Sequence, residues 1–168
     1  MSKKILIDLS KFRFSDTGQY NYGECIYDFH PHNTGMKDVI ERAMLEFACR
    51  RCEDAPCIAV CPEEALERDE NGAIHRATNL CVGCQSCVAV CPFGTLMNEI
   101  ITAKKAICDL TGCLKSNNPL KCLESAPEGA ITLTDQEADP ENHIYQLDEH
   151  ILVKEFRWQD LIDNGEKG

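Results

Sequence analysis

Long apolar runs, positive charge and tryptophan are all scarce in this sequence of 168 residues. The chain carries 17 lysine and arginine residues against 28 aspartate and glutamate residues, so its formal net charge is −11 at pH 7. A phosphate backbone would repel that charge, which argues against nucleic acid as a partner. The apolar runs are far shorter than the ~20 residues that a membrane helix needs. The composition therefore predicts a soluble globular protein without membrane insertion.

The motifs of several enzyme classes and of protein export are also missing. The sequence has no P-loop, no G-x-G-x-x-G fingerprint and no recognisable pairing of a nucleophile with a base. Near the N-terminus, Lys3 and Lys4 precede a short apolar run, but Asp8 interrupts this run and no twin-arginine pair comes before it. We therefore expect no catalytic residue on this chain and a cytoplasmic location.

Cysteine, by contrast, is abundant, since the chain has 12. A reducing cytoplasm disfavours disulfide bonds and favours metal ligation as the role of these thiols. Eight of them form two motifs, C-x2-C-x4-C-x3-C-P and C-x2-C-x2-C-x3-C-P. In chain order, these eight are Cys49, Cys52, Cys57, Cys61, Cys81, Cys84, Cys87 and Cys91. Because the segments 57–62 and 87–92 are near-copies, the chain contains an internal repeat.

The spacing of the two motifs favours 4Fe-4S clusters over zinc. Three thiolates on one tight loop suit three corners of a cubane, and in the bacterial ferredoxin pattern the cysteine before the proline ligates the other cluster. This exchange rule assigns to cluster one the residues Cys49, Cys52, Cys57 and Cys91. It assigns to cluster two the residues Cys61, Cys81, Cys84 and Cys87. Zinc is the alternative, although zinc sites pair short knuckles and do not need the C-x3-C-P ending.

The remaining cysteines form a third set, which comprises Cys25, Cys108, Cys113 and Cys122. A degraded copy of the repeat occupies residues 122–127, with Ala126 at the position of the last cysteine. Under the same exchange rule, the three later cysteines supply three ligands and Cys25 supplies the fourth. The reciprocal cluster would lack all of its ligands, so we expect three clusters and not four. The alternative is that Cys25 is a buried thiol and that His30, His32 or no residue fills the fourth position.

Both helices and strands are expected around the motifs. Apolar residues at helical spacing between Val39 and Phe47 predict an amphipathic helix that leads to Cys49. The Asn-Gly pair at 71–72 predicts a hairpin, and a further strand is expected at 95–98. We therefore predict an α+β, bacterial ferredoxin-like fold with pseudo-two-fold symmetry and an additional cluster-binding half.

We expect two parts in this chain: a multi-cluster domain, 1–134, and an acidic C-terminal extension, 135–168. Acidic residues greatly outnumber basic ones after Glu124. The clusters do not require the extension, yet it contains the large apolar residues Ile151, Val153, Phe156, Trp158 and Leu161. We expect these residues to dock a partner. The alternative is that they pack back onto the cluster domain.

At this point the chain resembles a known family. The residues that carry the resemblance are the segments 49–62, 81–92, 108–113 and 127–131. They resemble the polyferredoxin-type iron–sulfur subunits of molybdenum and tungsten oxidoreductases, over about residues 3–134. Those relatives have four cysteine motifs, whereas this sequence departs from them at the first motif and at Ala126. Within the family it is similar to the small electron-transfer subunit of tungsten-dependent class II benzoyl-coenzyme A reductase and to the small subunits of aldehyde oxidoreductases.

The resemblance implies a function in electron transfer. The chain would relay single electrons between a redox donor or acceptor and a larger catalytic subunit of the tungsten-pterin aldehyde oxidoreductase family. Two other functions stay open. A free polyferredoxin that shuttles electrons between enzymes would also suit the acidic surface, because net charge steers transient encounters. A zinc-stabilised structural or regulatory module is the third.

Overall fold

Two units make up the chain, and each is built from segments that lie far apart in sequence. The computed structural model describes residues 3–13, 21–25, 36–101, 108, 113 and 120–165. Unit one contains Met1–Val39 and Ile107–Glu155, and unit two contains Ile40–Ala106 and Phe156–Gly168. Both units contain helices and strands, so the predicted mixture of helix and strand is confirmed.

The described elements fall into strands, helices and two short turns. The strands are β1 (Lys4–Asp8), β2 (Leu66–Arg68), β3 (Ile74–Arg76), β4 (Ile131–Thr134), β5 (Ile144–Asp148) and β6 (Ile151–Lys154). The helices are α1 (Leu9–Arg13), α2 (Lys37–Ala43), α3 (Pro56–Ala59), α4 (Ser86–Val90), α5 (Lys121–Ser125) and α6 (Trp158–Gly165). A π-helical turn (Met44–Ala48) continues α2, and a 3-10 turn (Pro140–Asn142) precedes β5.

Unit one contains a four-stranded sheet with the order β4-β1-β6-β5. Strand β1 pairs with β4 in antiparallel fashion and with β6 in parallel fashion. Its residues Ile5 and Ile7 are fully buried, and they lie opposite Ile151 and Val153 of β6. β-branched residues suit such a pleated, buried surface. The core of unit one therefore depends on strands contributed by both ends of the chain.

The predicted amphipathic helix begins in unit one and leads into unit two. Val39, Ile40, Ala43, Met44 and Phe47 are all buried, so the apolar stripe faces the core as predicted. The helical stretch ends at Ala48, and Cys49 takes an extended conformation with φ −67° and ψ 134°. The end of the helix therefore delivers the first cysteine of the first motif.

The predicted hairpin is also present in unit two. Strands β2 and β3 pair in antiparallel fashion, and Gly72 in the turn between them has φ +82°. Asp69 stabilises the turn, because its Oδ1 accepts hydrogen bonds from the backbone N–H groups of Asn71 and Ala73. Glycine suits this turn because a side chain is strained at such a φ. The hairpin carries Arg76 into the core of unit two.

The predicted strand at 95–98 is wrong, because the structure shows bends and turns there. Backbone N–H groups of Phe93, Gly94, Thr95 and Leu96 face the sulfur of Cys91 and lower the pKa of this thiol. These groups are therefore directed at a thiol and not at a neighbouring strand. The turn that surrounds the cysteine overrides the local propensity for a strand.

The C-terminal segment 135–168 is shared between the two units. Strands β5 and β6 belong to the sheet of unit one, whereas α6 belongs to unit two. Ile151 and Val153 have no exposed surface, which corrects the expectation that these two residues dock a partner. These two residues instead pack against β1, as in the alternative in which they pack back onto the rest of the chain. Phe156 and Leu161 are exposed. The division of the chain at residue 134 stays a prediction.

Truncation after Asp139 is expected to prevent unit one from folding. It removes β5 and β6, and with them the fully buried Ile151, Leu152 and Val153. Each such side chain contributes roughly 1.5–3 kcal/mol, against a total stability of about 5–15 kcal/mol for a domain. Circular dichroism during chemical denaturation checks this. Truncation after Glu155 is the matched control, because it keeps the whole sheet and should leave the transition of unit one in place.

The helices are short compared with the thickness of a bilayer. Within the described residues, none is long and apolar enough to cross a membrane.

Candidate iron–sulfur centres

Four cysteines from two separate motifs line one cavity of unit two, which we call cavity one. They are Cys49, Cys52, Cys57 and Cys91. Cys49 follows the π-helical turn, Cys57 lies in α3, and Cys91 directly follows α4. The cavity together with its opening to solvent has a volume of about 430 Å³. The last cysteine of the second motif thus lies with the first three cysteines of the first motif.

A second cavity of unit two, cavity two, shows the reciprocal arrangement. It is lined by Cys61, Cys81, Cys84 and Cys87. Cys61 comes from the first motif, and Cys87 lies in α4. The volume is about 340 Å³, so the two cavities are similar in size. The structure therefore brings together the two groups of thiols that the exchange rule predicts, while ligation by them stays a prediction.

The internal repeat is visible in the backbone around both cavities. Ala55 precedes α3 with φ +38°, and Gln85 precedes α4 with φ +62°. Both are non-glycine residues in the left-handed region, which is uncommon and costs about 1–2 kcal/mol. The left-handed residue turns the chain sharply between the tight cysteine loop and the helix. This turn allows one motif to supply thiols to two different cavities.

Backbone N–H groups point at several of the sulfur atoms. Arg51 donates to Cys49 Sγ at 3.5 Å, Gly83 donates to Cys81 Sγ at 3.4 Å, and Ala65 donates to Cys61 Sγ at 3.3 Å. Such hydrogen bonds stabilise thiolate sulfur and tune the potential of a cluster bound to it. The loops are therefore built to receive negatively charged sulfur.

The pKa values of the thiols reflect their crowding. Burial, followed by the charges of neighbouring cysteines, raises the pKa of Cys49 and Cys57, and raises that of Cys87 to about 11. The neighbours of Cys87 include Cys61 from the other motif. For Cys91, burial acts to raise the pKa, but four backbone N–H groups outweigh it and the pKa lies below its usual value. Crowded thiols of this kind become thiolates when a cation binds them.

The distances between the sulfurs test the zinc alternative. Zinc holds thiolates at about 2.3 Å, which places tetrahedral sulfurs about 3.8 Å apart. Among the described residues, which include every cysteine, no three sulfurs lie mutually within 4.8 Å. Tetrahedral zinc ligation would therefore require the thiols of each cavity to move closer together. A donor set of four thiolates is the one that a cubane takes.

The third set of cysteines lies entirely in unit one. Burial, followed by the charges of Cys113 and Cys25, raises the pKa of Cys122 to about 11. These three thiols are therefore neighbours. The backbone N–H of Cys108 donates to Asp38 Oδ2 at 3.1 Å, which anchors Cys108 to α2. His30 and His32, the alternative ligands, lie outside the described residues. The assignment of the third site stays a prediction.

A short loop holds Cys25 beside α5. Asn21 Nδ2 donates to the carbonyl of Ser125 at 2.6 Å, and the N–H of Glu24 donates to Ser125 Oγ at 2.7 Å. Gly23 has φ +75°, and a Cβ atom there would lie 3.2 Å from the Cys122 carbonyl oxygen. The close approach of this loop to α5 therefore requires glycine. Ala126 follows α5 as Cys91 follows α4, but its methyl group cannot ligate a metal.

Replacing Gly23 with alanine is expected to lower the cluster content of the third site. The new Cβ would push the loop of Cys25 away from Cys122, and the left-handed φ adds about 1–2 kcal/mol of strain. Gly72→Ala is the matched control, because Gly72 has φ +82° but no atom closer than 3.7 Å to the added Cβ. Iron per folded chain checks this. Equal iron loss in both variants would show that strain alone, and not the approach to Cys122, is responsible.

Two arginines beside the cavities were not singled out by the sequence. The guanidinium of Arg50 stacks 4.5 Å from the ring centroid of Phe93 and 3.5 Å from that of Trp158. Arg76 lines cavity two and pairs with Glu41. Arg50 could have been noticed because it directly follows Cys49, but Trp158 lies more than a hundred residues away and no local pattern connects the two.

Two cavities that each gather four thiols from exchanged motifs define an iron–sulfur protein of the two-cluster type. The family described as the 4Fe-4S dicluster domain matches residues 40–138, and the chain belongs to this family. That span contains every cysteine except Cys25. The chain therefore belongs to a family whose domain binds 4Fe-4S clusters.

The curated relatives of this chain include proteins that are named for electron transport. The chain is 39% identical over 94 residues to YsaA of Escherichia coli (strain K12), which is provisionally named an electron transport protein; the match covers 54% of this chain and 57% of YsaA. It is 36% identical over 105 residues to NrfC of the same strain, and this match covers 60% of this chain and 46% of NrfC. It is 34% identical over 103 residues to electron transport protein HydN of the same strain, and this match covers 52% of this chain and 57% of HydN. The chain thus spans about half the length of the curated relatives it matches.

Proposed function

We propose that this chain is the electron-transfer subunit of a larger oxidoreductase and relays single electrons through three 4Fe-4S clusters. The observation that carries the proposal is the exchange of Cys61 and Cys91 between the two cavities, which supports two clusters held by neighbouring helices. A bound 4Fe-4S cluster takes up or releases one electron at a time. The protein supplies thiolates, N–H groups that stabilise the sulfurs, and a rigid frame.

Each proposed cluster has four cysteine ligands. The first site consists of Cys49, Cys52, Cys57 and Cys91. The second consists of Cys61, Cys81, Cys84 and Cys87. The third consists of Cys25, Cys108, Cys113 and Cys122. The neighbourhood of Cys25, Cys113 and Cys122 in unit one supports the third site. The third site would form an additional half of the fold beyond the two-cluster family core, and three clusters in one small chain suit a relay with two ends.

The partner that we propose is a larger catalytic subunit of the tungsten-pterin aldehyde oxidoreductase family, as in class II benzoyl-coenzyme A reductase or an aldehyde oxidoreductase. The resemblance of the cysteine motifs to the iron–sulfur subunits of molybdenum and tungsten enzymes supports this choice. A second redox protein would exchange electrons at the other end. We place the complex in the cytoplasm, on the ground that a reducing compartment suits twelve cysteine ligands.

Within the C-terminal extension, 135–168, we assign docking of the catalytic subunit to α6. Leu161 on this helix is 53% exposed, whereas the apolar residues of β6 are buried in unit one. Apolar residues that are exposed in an isolated chain commonly become buried in an interface. The acidic residues around α6 would lie at the rim of such an interface.

Anaerobic purification of the untagged protein from its native cell tests the proposal. A large pterin-containing subunit should copurify at a constant ratio with this chain. In a tagged copy, Leu161→Asp should reduce capture of that subunit by at least tenfold. Leu133→Asp is the matched control, because Leu133 is 48% exposed but lies on β4 in unit one. Capture that is equal for both variants would exclude docking through α6.

The second candidate is a free polyferredoxin, which the net charge of −11 favours. Strong charge increases the rate of transient encounters with oppositely charged partners. A native protein that elutes alone at physiological salt, while retaining its clusters, would make this the better function.

A further inference from the structure

A buried ion pair lies beside cavity two. Arg76 of β3 donates from Nε to Glu41 Oε1 at 2.5 Å, and its Nη2 donates to Glu41 Oε2 at 2.8 Å. The two side chains are 1% and 5% exposed. Both residues belong to unit two. Charged side chains are rarely buried so completely unless they are paired, and this pair has the bidentate geometry that is strongest.

Arg76 lines cavity two in addition to pairing with Glu41. Arg76 lines cavity two together with Cys61, Cys81 and Cys87. Its guanidinium also interacts with the thiol of Cys81: burial acts to lower the pKa of Arg76, but its interactions with Glu41 and Cys81 outweigh this effect and raise it. The group therefore stays positively charged. A chain of charged contacts runs from Glu41 through Arg76 to a thiol of cavity two.

Stability alone does not explain this pair. Burying two charges costs desolvation free energy that their attraction barely offsets, and apolar residues of the same volume often stabilise a core as well. The position of the pair gives it a different role. Inside a protein, a charge acts on its neighbours much more strongly than it does in water. The charge of Arg76 is directed at the site where an added electron would be held.

We propose that the Arg76–Glu41 pair sets the reduction potential of the cluster at cavity two. The positive charge of Arg76, which lines cavity two with Cys81, stabilises the reduced form, which carries one more negative charge, and raises the potential. Glu41 opposes this effect and holds the guanidinium in place. Arg76 is thus a positioning residue, which affects electron transfer through the potential of the cluster and does not bind the cluster itself. The proposal rests on the second site of the proposed function.

Redox titration of the purified protein, followed by EPR, tests the role of each charge. Arg76→Gln should lower the midpoint potential of one cluster, and Arg76→Lys should restore most of the shift because it keeps the positive charge. Glu41→Gln should raise the same potential, since the guanidinium is then less neutralised. In the double variant, Arg76→Gln with Glu41→Gln, the two opposite shifts should largely cancel.

Glu67→Gln is the matched control for Glu41→Gln. Glu67 lies on the same hairpin as Arg76, and its replacement removes the same charge as Glu41→Gln. Its side chain is exposed, however, so solvent screens this charge. Its shift should be much smaller. A Glu41→Gln shift no larger than that of Glu67→Gln would overturn the proposal, and so would a shift confined to the other clusters.

Iron content separates this inference from the proposed function. If the unmodified protein holds fewer clusters than proposed, the proposed function fails first. If all variants keep the iron of the unmodified protein but the potentials do not move, only the inference fails. Loss of one cluster in every Arg76 and Glu41 variant would mean that the pair holds the fold and does not tune a potential, and this result also overturns the inference.

Discussion

Replacing Cys91 with alanine is expected to remove the cluster held at Cys49 and to leave the cluster held by its own sequence neighbours. The reason is geometric, because Cys91 lines cavity one with Cys49, while Cys87 lines cavity two. Total iron should fall by about four atoms per chain. Iron and acid-labile sulfide analysis under anaerobic conditions checks this. Cys61→Ala is the mirror variant, and it should remove the cluster at cavity two.

Double variants identify which cluster each cysteine serves. If Cys49 and Cys91 hold the same cluster, the variant that lacks both should lose no more iron than either single variant. If Cys87 and Cys91 hold different clusters, the variant that lacks both should lose about eight iron atoms. Changes that affect the same cluster are non-additive, whereas changes that affect independent clusters add. The comparison needs no assignment of spectra to individual clusters.

Ligation within each motif predicts the opposite pattern. Cys87 and Cys91 would then belong to one cluster, so their double variant would lose only about four iron atoms. The variant that lacks both Cys49 and Cys91 would lose about eight. That result would refute the exchange of ligands, even though the cavities bring the thiols together. Zinc as the main metal would refute the clusters themselves.

Local sequence patterns account for most of unit two. The cysteine spacing predicted which thiols share a cavity, because each motif is short and its loop, helix and proline follow in a fixed order. The helix before Cys49 and the hairpin around Gly72 also follow from nearby residues. The left-handed conformations of Ala55 and Gln85 do not, since neither residue type favours positive φ. The surrounding loop imposes them.

Non-local pairing explains what the sequence did not reveal in unit one. The parallel pairing of β1 with β6 joins residues near 5 to residues near 151. No local signal specifies such a partner. The apolar residues of β6 therefore looked available for docking, although the structure buries them against β1. The same limit applies to Arg76 and Glu41, whose side chains meet across 35 residues of sequence.

The iron content of the unmodified protein is expected to be about twelve atoms per chain, with as many sulfides, because the 12 cysteines divide into three sets of four. Cys25→Ala should lower this value to about eight by removing the third cluster alone. The physical reason is the loop that carries Cys25, which is anchored to Ser125 and lies against Cys122. The clusters of unit two should keep their EPR signals after reduction.

Cys122→Ala is the matched variant, since Cys122 is the buried thiol whose pKa is raised by the charges of both Cys25 and Cys113. It should remove the same cluster, and the variant that lacks both Cys25 and Cys122 should lose no more iron than either single change. If Cys122→Ala lowers the iron content but Cys25→Ala does not, Cys25 is a buried structural thiol and another group completes the third site. If the unmodified protein holds only about eight iron atoms, the third site does not exist and the chain is a two-cluster protein. A content of about sixteen would instead mean that the site with Ala126 has recruited ligands other than cysteine.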